Sequence, residues 1–523
     1  MRITRAGLVV AAVCLVAWAS SAGALEYDVA FSTFLGGSDW EHARDVCSDA
    51  AGNVYVVGGT ASANFPTTPG AYQRTYSTGG SDIGTSGYLD AFVAKFGPTG
   101  NLIWSTYLGG PNYDRAYAVE VDADGYVYVA GRAGPGFPVH NALQPTFQGG
   151  PAGGYGQQNA FVAKLAPDGG SLVWSTYIGV AAMCRDLALD ADGDVYVPLG
   201  CTTGGALPPA AWFTNAYQSA PRGGNDTGIV KIRNDGSAVE WATFLGGTAN
   251  DSHDASIRVD ADKNVHLLCW TVSTDLPTTP GAADPSYNGG NDLYLAKVSP
   301  DGSQLIYGTY VGGSGGEVLS THNLALDAQG NAYVTAGTTS PDWPTTPGAL
   351  GTVLRGGQDW AIAKFSLTGA LLAGTFIGGD GTDGNTDGVY VDAAGNVMLS
   401  GTSISANFPT TPGAYQTVKS VGRDAAWVLL KADFSGVLYG TFVGGASDEG
   451  ARCGFLDGQG NVCLAGEAYG PGWPAVNAYQ GAFAGGQLDS IIIRFTIPEP
   501  AAMALLLAGA MALLRRRAGK RRR

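Results

Sequence analysis

Short runs of alternating apolar and polar residues recur along most of the chain, and each run has the length of a β-strand. Ala118-Val119-Glu120-Val121-Asp122 is one such run, and Val54-Tyr55-Val56-Val57 is a more continuously apolar one. A period of two residues is typical of a strand with one buried face. No segment of useful length between the two termini has the 3.6-residue period of an amphipathic helix. The pattern therefore predicts an all-β protein.

A repeated motif organises these runs. An aromatic residue, an aliphatic residue and two glycines occur together six times, and Tyr177-Ile178-Gly179-Val180 is a degraded seventh copy. The first glycines of the seven copies are Gly36, Gly109, Gly179, Gly246, Gly312, Gly378 and Gly444, which are 66 to 73 residues apart. A near-constant period of this length indicates a repeat architecture rather than several unrelated domains.

Each repeat contains four predicted strands. An Asp-Ala-x-Gly-Asn turn, as at residues 49–53, joins the first to the second, and a long loop such as 65–72 follows the second. A Pro-x-Gly turn joins the third to the fourth. Four antiparallel strands repeated in this way are typical of a propeller blade.

The number of copies predicts how the ring closes. The first three strands of the repeat occur seven times, but the fourth follows only six of them. The missing fourth strand is present at the amino end, as Val29–Leu35. We therefore predict a seven-bladed β-propeller of four-stranded antiparallel blades, the last of which is completed by the amino-terminal strand, because closure removes open sheet edges.

The repeat resembles the bacterial SBBP repeat, the seven-bladed β-propeller repeat. The resemblance lies in the Asp-Ala-x-Gly-Asn turn, the Phe-Pro-Thr-Thr-Pro-Gly-Ala-Tyr-Gln loop and the Tyr-Leu-Gly-Gly strand end, and it covers about residues 27–496. Lys263 replaces the turn glycine in the fourth repeat, and the third repeat lacks the Pro-Thr-Thr-Pro loop. The resemblance implies a propeller but no common activity.

Both ends of the chain carry targeting patterns. Arg2 and Arg5 precede an apolar stretch and a run of small residues, which predicts a signal peptide over residues 1–24. Cleavage is expected after Ala24, with Ala22 and Ala19 as alternatives. A permanent membrane helix is less favoured, because the apolar stretch is shorter than the roughly 20 residues of a membrane span.

The carboxyl end, residues 498–523, closely resembles the PEP-CTERM sorting signal. It contains a Pro-Glu-Pro triplet, an apolar stretch over 501–514 and a basic tail; the residues of the signal are Pro498, Glu499, Pro500, Arg515, Arg516 and Arg517. The resemblance implies a Gram-negative bacterium, often one that makes exopolysaccharide, and processing by an exosortase during export. The apolar stretch is expected to contact the membrane before processing, with the basic tail in the cytoplasm. An ordinary tail anchor is the alternative. The propeller then spans residues 25–497.

The composition agrees with an exported β-protein and excludes one class of partner. Of 523 residues 80 are glycine, 14% are charged and the net charge is −15. A nucleic-acid-binding protein needs a basic face, so nucleic acid is not an expected partner. Without its two ends the chain keeps 20 basic residues against 43 or 44 acidic ones, so the exported body is strongly acidic.

The face that carries the long loops and the Gly-Gly loops is the candidate binding surface, because binding residues are often found on loops held by a rigid scaffold. Acidic residues follow the Gly-Gly motifs and are expected around the mouth of the central channel: Asp39, Glu41, Asp114, Asp251, Asp254, Glu317, Asp380, Asp383, Asp448 and Glu449. They predict a site for a cation or polar ligand, and solvated loop charge is the alternative. No cofactor is expected, although the turns at Asp122 and Asp190 faintly resemble calcium loops.

Two disulfides are candidates, since an exported protein reaches an oxidising compartment. Cys184 and Cys201 fall nearly opposite each other if their hairpin is symmetric about residues 190–194. Cys453 and Cys463 flank another hairpin less symmetrically.

Patterns for catalysis are weak. The chain has neither a zinc-binding HExxH helix nor a phosphate-binding loop, and no metal ligand set is expected. His42, His253 and His322 precede inner strands, where isolated polar loop residues are the favoured interpretation. The sequence favours a non-enzymatic scaffold of the cell surface or extracellular matrix that binds a polysaccharide or a surface protein. A secreted glycan lyase or hydrolase and a structural filler are the alternatives.

Overall fold

Seven sheets surround a central axis in the computed structural model, which describes residues 25–149, 153–179, 183–202 and 207–498. Six have four strands, and in the remaining sheet the inner strand is divided into two. The predicted seven-bladed β-propeller is therefore confirmed. The predicted signal peptide lies outside the described residues, as does the sorting segment apart from Pro498.

The blades follow one another along the chain, and a single strand precedes the first of them. That strand is β1 (Asp28–Leu35). The strands of the first four blades, innermost first, are β2 (Glu41–Ser48), β3 (Val54–Thr60), β4 (Asp90–Phe96) and β5 (Leu102–Leu108); β6 (Asp114–Val121), β7 (Val127–Ala133), β8 (Asn159–Leu165) and β9 (Leu172–Ile178); β10 (Ala188–Leu189), β11 (Val195–Thr202), β12 (Asn225–Ile232) and β13 (Val239–Leu245); β14 (Asp251–Val259), β15 (Val265–Thr271), β16 (Asp292–Val298) and β17 (Leu305–Val311).

The fifth blade has a divided inner strand. The remaining strands are β18 (Glu317–Val318), β19 (Leu324–Leu326), β20 (Ala332–Thr338), β21 (Asp359–Phe365) and β22 (Leu371–Ile377) in blade five; β23 (Asp383–Val391), β24 (Val397–Ser403), β25 (Asp424–Leu430) and β26 (Val437–Val443) in blade six; β27 (Glu449–Leu456), β28 (Val462–Ala468) and β29 (Asp489–Thr496) in blade seven. One 3-10 helix, Ala210–Phe213, lies in the long loop of blade three.

The ring closes as the copy number predicts. Strand β1 pairs antiparallel with β29, from Asp28 opposite Thr496 to Leu35 opposite Ser490, and forms the outer strand of blade seven. Tyr27, just before this strand, packs against Trp427 of blade six with ring centroids 4.9 Å apart. The two ends of the propeller are therefore held in one sheet.

The turn between the first two strands of a blade is held by its aspartate. Asp49 Oδ1 accepts the backbone N–H groups of Ala51 and Asn53, at 3.0 and 2.9 Å. Gly52 has a φ of +79°, a conformation that glycine adopts without strain. Lys95 from the third strand lies 3.8 Å from the other oxygen of Asp49, and five other blades have an equivalent ion pair at this turn.

The proline-containing loops differ from the expectation that they lie on the face of the Gly-Gly loops. In blade one the loop descends along the outer strand, where Thr68 N–H donates to Ser105 O at 3.1 Å and Tyr107 N–H donates to Gln73 O at 3.0 Å. Tyr72 N–H reaches Gly169 O of the next blade at 2.9 Å. The physical reason is the outer strand, whose unpaired backbone groups need partners. The loop covers that edge and ties neighbouring blades together.

The hydrophobic core of the described chain consists of seven clusters, each between the facing sheets of two adjacent blades. Indole groups close the lower ends of several clusters: Trp104 Nε1–H donates to Pro167 O of the next blade at 3.0 Å. In the part of the chain that the structure describes, no helix is long and apolar enough to cross a membrane.

Candidate functional site

A β-bulge in the inner strand turns one side chain toward the central channel. The bulge falls at Arg44 in blade one, at Tyr117 in blade two and at Arg452 in blade seven. Each of these residues lies five positions before the turn aspartate. At the same offset the other blades have Arg185, Ala255, His322 and Asp387. In six of the seven blades the repeat therefore places a polar side chain at this position of the inner strand.

Arginines converge on Tyr117 near the mouth of this channel. The guanidinium carbons of Arg44, Arg115 and Arg132 lie 4.9, 5.1 and 5.0 Å from the centroid of its ring. Arg185 is 5.4 Å from the same centroid, and Arg132 Nη2–H donates a hydrogen bond to the Tyr117 hydroxyl. Four cationic side chains from three blades thus surround one phenol.

Three of these arginines lack a carboxylate partner among the described residues. Arg44, Arg115 and Arg132 are only 7%, 7% and 4% exposed, and the Nε atom of each is buried without a hydrogen-bond acceptor. The contrast is Arg452, which makes a bidentate pair with the buried Glu467 at 2.7–2.8 Å. We call Arg44, Arg115, Arg132 and Tyr117 the arginine–tyrosine cluster.

The concentration of positive charge changes the acidity of the cluster. Burial by itself raises the pKa of Tyr117, but the surrounding guanidinium groups outweigh burial and lower its pKa to about 7. Burial and the neighbouring arginines lower the pKa of Arg44 to about 9. Strongly shifted ionisable groups of this kind are more frequent at functional sites than elsewhere in a protein.

Aromatic rings form the rim above the cluster. The guanidinium carbon of Arg115 lies 4.8 Å from the ring of Trp40, and that of Arg132 lies 4.1 Å from the ring of Tyr155. Tyr155 is 39% exposed and packs against the buried Tyr113, with centroids 4.9 Å apart. This aromatic rim gives the channel mouth an apolar surface at the level of the loops.

Two of the predicted histidines are buried in ionic networks, so their interpretation as isolated loop residues is wrong. His42 Nε2 lies 2.8 Å from Glu467, and its Nδ1 contacts Arg115. Burial lowers the pKa of His42 to about 3, so the neutral ring accepts from Arg115 and donates to Glu467. The side chain of His253 is outside what the structure describes.

His322 crosses the channel. Its Nε2 lies 3.1 Å from Asp45 of blade one, and its Nδ1 lies 3.2 Å from Asp186 of blade three. Burial opposes the charged form of His322, but the two carboxylates outweigh it and raise the pKa of the imidazole. Val119 N–H and Ile257 N–H also donate to these carboxylates, so the network connects inner strands around the ring.

The ten acidic residues predicted around the mouth separate into two groups. Six are buried rather than exposed on the rim: Glu41, Asp114, Asp251, Glu317, Asp383 and Glu449. In five of them the carboxylate accepts the N–H of the second glycine of the preceding Gly-Gly motif, as in Gly37 to Glu41 at 2.9 Å. Glu317 instead accepts hydrogen bonds from Thr338 and Ser340. Because all six carboxylates are buried and bonded within the loops, they do not face an approaching ligand.

The remaining four lie nearer to solvent. Asp39, Asp380 and Asp448 are exposed, and Asp254 is half-buried, 2.7 Å from Arg185. Sequence reasoning missed these arginines because they do not recur at one position in every repeat. Arg44 and Arg185 share a position in two blades, whereas Arg115 and Arg132 lie at two other positions of blade two. The constant offset of five residues from the turn aspartate is the signal that identifies Arg44, Tyr117 and Arg185.

Neither predicted disulfide is formed. The paired part of the inner strand begins only at Ala188, so Cys184 lies before it and outside the symmetric hairpin. Cys184 Sγ lies 3.2 Å from the carbonyl oxygen of Pro198. Cys453 is opposite Ala465, and Cys463 is opposite Phe455. Residues two positions out of register are too far apart for a strain-free disulfide.

No cluster of three or more histidine, cysteine, aspartate or glutamate side chains in the described ranges is arranged to hold a metal ion. The carboxylate of Asp190 caps its own turn by accepting the N–H groups of Asp192 and Asp194. That the Asp122 and Asp190 turns hold no cofactor stays a prediction.

Comparison with protein families gives one match. Residues 103–137 match the SBBP family, described as a β-propeller repeat. This segment and the seven blades support a relationship to that repeat family. No curated protein matches the chain.

Solved propellers are similar to the chain at low identity. A protein of unknown function from Dyadobacter fermentans is 13% identical with a TM-score of 0.41, over 90% of this chain and 99% of that one. BamB from Moraxella catarrhalis is 12% identical with a TM-score of 0.34, over 90% and 99%. A PL25 ulvan lyase is 10% identical with a TM-score of 0.43, over 85% and 92%. Such similarity concerns the fold alone.

Proposed function

We propose that the protein is an exported, non-enzymatic scaffold of the cell surface or extracellular matrix that binds a polysaccharide at its channel mouth. The observation that carries this proposal is the aromatic rim of Trp40 and Tyr155, with the buried Tyr113 supporting Tyr155, above the arginine–tyrosine cluster. Aromatic rings and arginines are the side chains that most often dominate recognition surfaces. The predicted signal peptide at residues 1–24 and the sorting segment at residues 498–523 would direct the protein to the cell envelope, and an exosortase would process the sorting segment during export.

The filled channel supports surface binding rather than passage through the ring. Arg452, His42 and Glu467 form one buried network, and His322 with Asp45 and Asp186 forms another. A polymer would therefore lie across the loop face and contact the rim. A surface protein is the other partner that such a rim can accept.

The placement of the carboxylates argues against a glycoside hydrolase. Such an enzyme needs two carboxyl groups about 5–10 Å apart on either side of a substrate. Here six of the ten acids predicted at the mouth are buried, one in each of six repeats, and five of them are bonded to the glycine loops. Carboxylates that stabilise the same loop in successive repeats do not form the single pair of catalytic carboxyl groups that a glycoside hydrolase needs.

A glycan lyase is the second candidate, and Tyr117 favours it. β-Elimination on a uronate needs a cation at the carboxylate and a base for the adjacent proton. The arginines would supply the cation, and a pKa of about 7 gives Tyr117 a substantial phenolate fraction near neutral pH. Because Tyr117 is buried, this role requires the channel mouth to open for the substrate. The C5 proton would pass to the Tyr117 phenolate and the C4–O bond would break, leaving a C4=C5 double bond. The Tyr117 hydroxyl formed in this way would return the proton to the leaving oxygen, which regenerates the phenolate.

The test is binding of extracellular polysaccharide to the purified protein, measured by co-sedimentation. We expect Tyr155→Ala to weaken binding by about tenfold, a typical loss for an exposed aromatic contact. Tyr479→Ala is the matched control, because Tyr479 is also exposed but packs at an outer blade edge against Phe96. Equal binding by both variants would place the surface elsewhere, and an ultraviolet-absorbing unsaturated product would establish the lyase instead.

A further inference from the structure

We propose that Arg44, Arg115 and Arg132 form a binding site for an anionic substituent, a carboxylate or a sulfate, of an acidic polysaccharide. This inference rests on the proposed function and names the ligand chemistry of the same channel mouth. The site is built from the inner strands of blades one and two and from β7, so rigid elements rather than loops position its three guanidinium groups.

The first argument is the energy of unpaired charge. An ionised group that is buried without a partner is destabilising by several kcal/mol, so buried charges in proteins are normally paired. The same channel pairs Arg452 with Glu467 and Arg258 with Asp186. Arg44, Arg115 and Arg132 stand apart because no carboxylate of the described residues lies within ion-pair distance of them. A bound anion would supply the counter-charge that these three arginines lack.

The second argument is the set of unused hydrogen-bond donors. The Nε–H groups of the three arginines are buried without acceptors. A guanidinium group presents its donors in a planar fork that matches the paired oxygens of a carboxylate or a sulfate. The three groups surround one phenol at about the same distance, so their unused Nε–H donors are close enough together to serve one small anion, once movement at the channel mouth exposes them.

The third argument is the net charge of the protein. The chain carries a formal charge of −15, and without its two ends it keeps 20 basic residues against 43 or 44 acidic ones, so a polyanion is repelled by the surface as a whole. A local cluster of unpaired arginines is then the feature that can hold such a polymer, and the aromatic rim offers its sugar rings an apolar face. Acidic polysaccharide therefore fits the site better than a neutral polymer, which leaves the guanidinium groups unpaired.

The experiment compares polymers that differ only in charge. Dextran and dextran sulfate share a backbone, and oligogalacturonate and its methyl ester differ only in the carboxylate. Binding to the purified protein is measured calorimetrically at constant ionic strength. We expect saturable binding of at least one acidic polymer, at least about tenfold tighter than that of its neutral counterpart. The two pairs separate sulfate from carboxylate recognition.

Substitutions assign the binding to the cluster. Arg115→Gln combined with Arg132→Gln is expected to weaken binding of the preferred acidic polymer by about a hundredfold. Arg423→Gln is the control, because Arg423 lies 3.8 Å from Asp448 on the same face and its loss changes the net charge equally per site. Arg423→Gln should stay within about twofold of the parent protein.

The outcomes are distinct. If acidic and neutral polymers bind alike, or if Arg423→Gln weakens binding as much as the double variant, the anion site is overturned while polysaccharide binding stands. If no polymer binds but inorganic sulfate binds saturably and depends on Arg115 and Arg132, the anion site stands and the polysaccharide function fails. The comparison of ester and acid uses the unaltered protein, so it decides the question even if the double variant does not fold.

Discussion

Arg44 and Arg452 occupy the same repeat position in adjacent blades, yet their surroundings differ. Arg452 is paired with Glu467, whereas Arg44 lies beside the ring of Tyr117 and other arginines and has no carboxylate within ion-pair distance among the described residues. A buried ion pair is costly to break because its partner is left charged and unpaired. Removal of Arg44 leaves no carboxylate unpaired, and it relieves the repulsion between Arg44 and the neighbouring arginines.

This difference predicts opposite effects of the same substitution. We expect Arg452→Met to lower the free energy of unfolding by about 3–5 kcal/mol, because the buried Glu467 then keeps only the neutral His42 as a partner and loses its cation. We expect Arg44→Met to be neutral or to raise that free energy by about 1–4 kcal/mol, because the cluster loses one like charge. Urea denaturation of both variants at pH 7 provides the measurement. A large loss of stability in Arg44→Met would mean that the cluster is structural rather than reserved for a ligand.

At the scale of the strand and its loop, each Gly-Gly motif lies between two acidic side chains from adjacent blades. A methyl group on Gly312 would lie 2.5 Å from Glu317 Oε2 and 2.8 Å from Asp292 Oδ1, so glycine is required. Asp292 Oδ1 and Glu317 Oε2 are buried without hydrogen-bond partners. The degraded repeat has Asn159 in place of the aspartate, and its amide Nδ2 donates to Gly179 O. An amide is the neutral analogue of a protonated carboxyl group.

We therefore expect Asp292→Asn to stabilise the protein in a pH-dependent way. Burial raises the pKa of Asp292 to about 6, and the neighbouring groups Glu317, Asp284 and Asp342 are all acidic. A carboxyl group with a raised pKa in the folded state contributes stability that is present below about pH 4 and is lost as the pH rises through about 6. The amide of Asp292→Asn does not ionise, so the variant does not lose this stability. The difference in free energy of unfolding between the variant and the parent protein should therefore grow by about 1–3 kcal/mol between pH 4 and pH 8.

Thermal or urea unfolding across that pH range measures the difference. Asp124→Asn, at an exposed turn position, is the control and should follow the parent protein at every pH. If the advantage of Asp292→Asn were constant with pH, the carboxyl group would be ionised throughout. If added calcium abolished the advantage at pH 8, a cation rather than a proton would be the partner of the acidic pair.

At the scale of the whole molecule, closure of the ring depends on one strand. Strand β1 contributes the outer edge of blade seven, and Val476 N–H and Ser32 N–H each donate to the other residue's carbonyl oxygen as the adjoining loop covers that strand. Without β1, the outer edge of β29 would present unpaired backbone groups, which are a template for association.

Deletion of residues 25–37 is therefore expected to convert a monodisperse protein into self-associating species. Size-exclusion chromatography with light scattering measures the change. A synthetic peptide of residues 25–37 should restore the original mass when added in excess, whereas a peptide of the same composition in scrambled order should not. Unchanged mass after the deletion would show that the edge of β29 is protected by other means.

The described part of the fold could largely be predicted from the amino-acid sequence, whereas the arginine–tyrosine cluster could not. The 66–73-residue period, the turn at Asp49 and the spare strand at Val29–Leu35 are local signals, and they predict blades, hairpins and closure. The acids after the Gly-Gly motifs are equally local, but their burial depends on the adjacent blade. A periodic sequence marks such positions without saying whether they face solvent or a neighbouring sheet.

By itself, the sequence determined the number of blades and the pairing of β1 with the last blade, because strand period and turn chemistry are properties of short segments repeated along the chain. Only the tertiary structure decided that Arg44, Arg115 and Arg132 meet at Tyr117 without carboxylates, and that His322 reaches Asp45 and Asp186. The reason is that a closed ring brings inner strands from distant repeats within a few ångströms of one axis, and the partners found there depend on the packing of all seven blades.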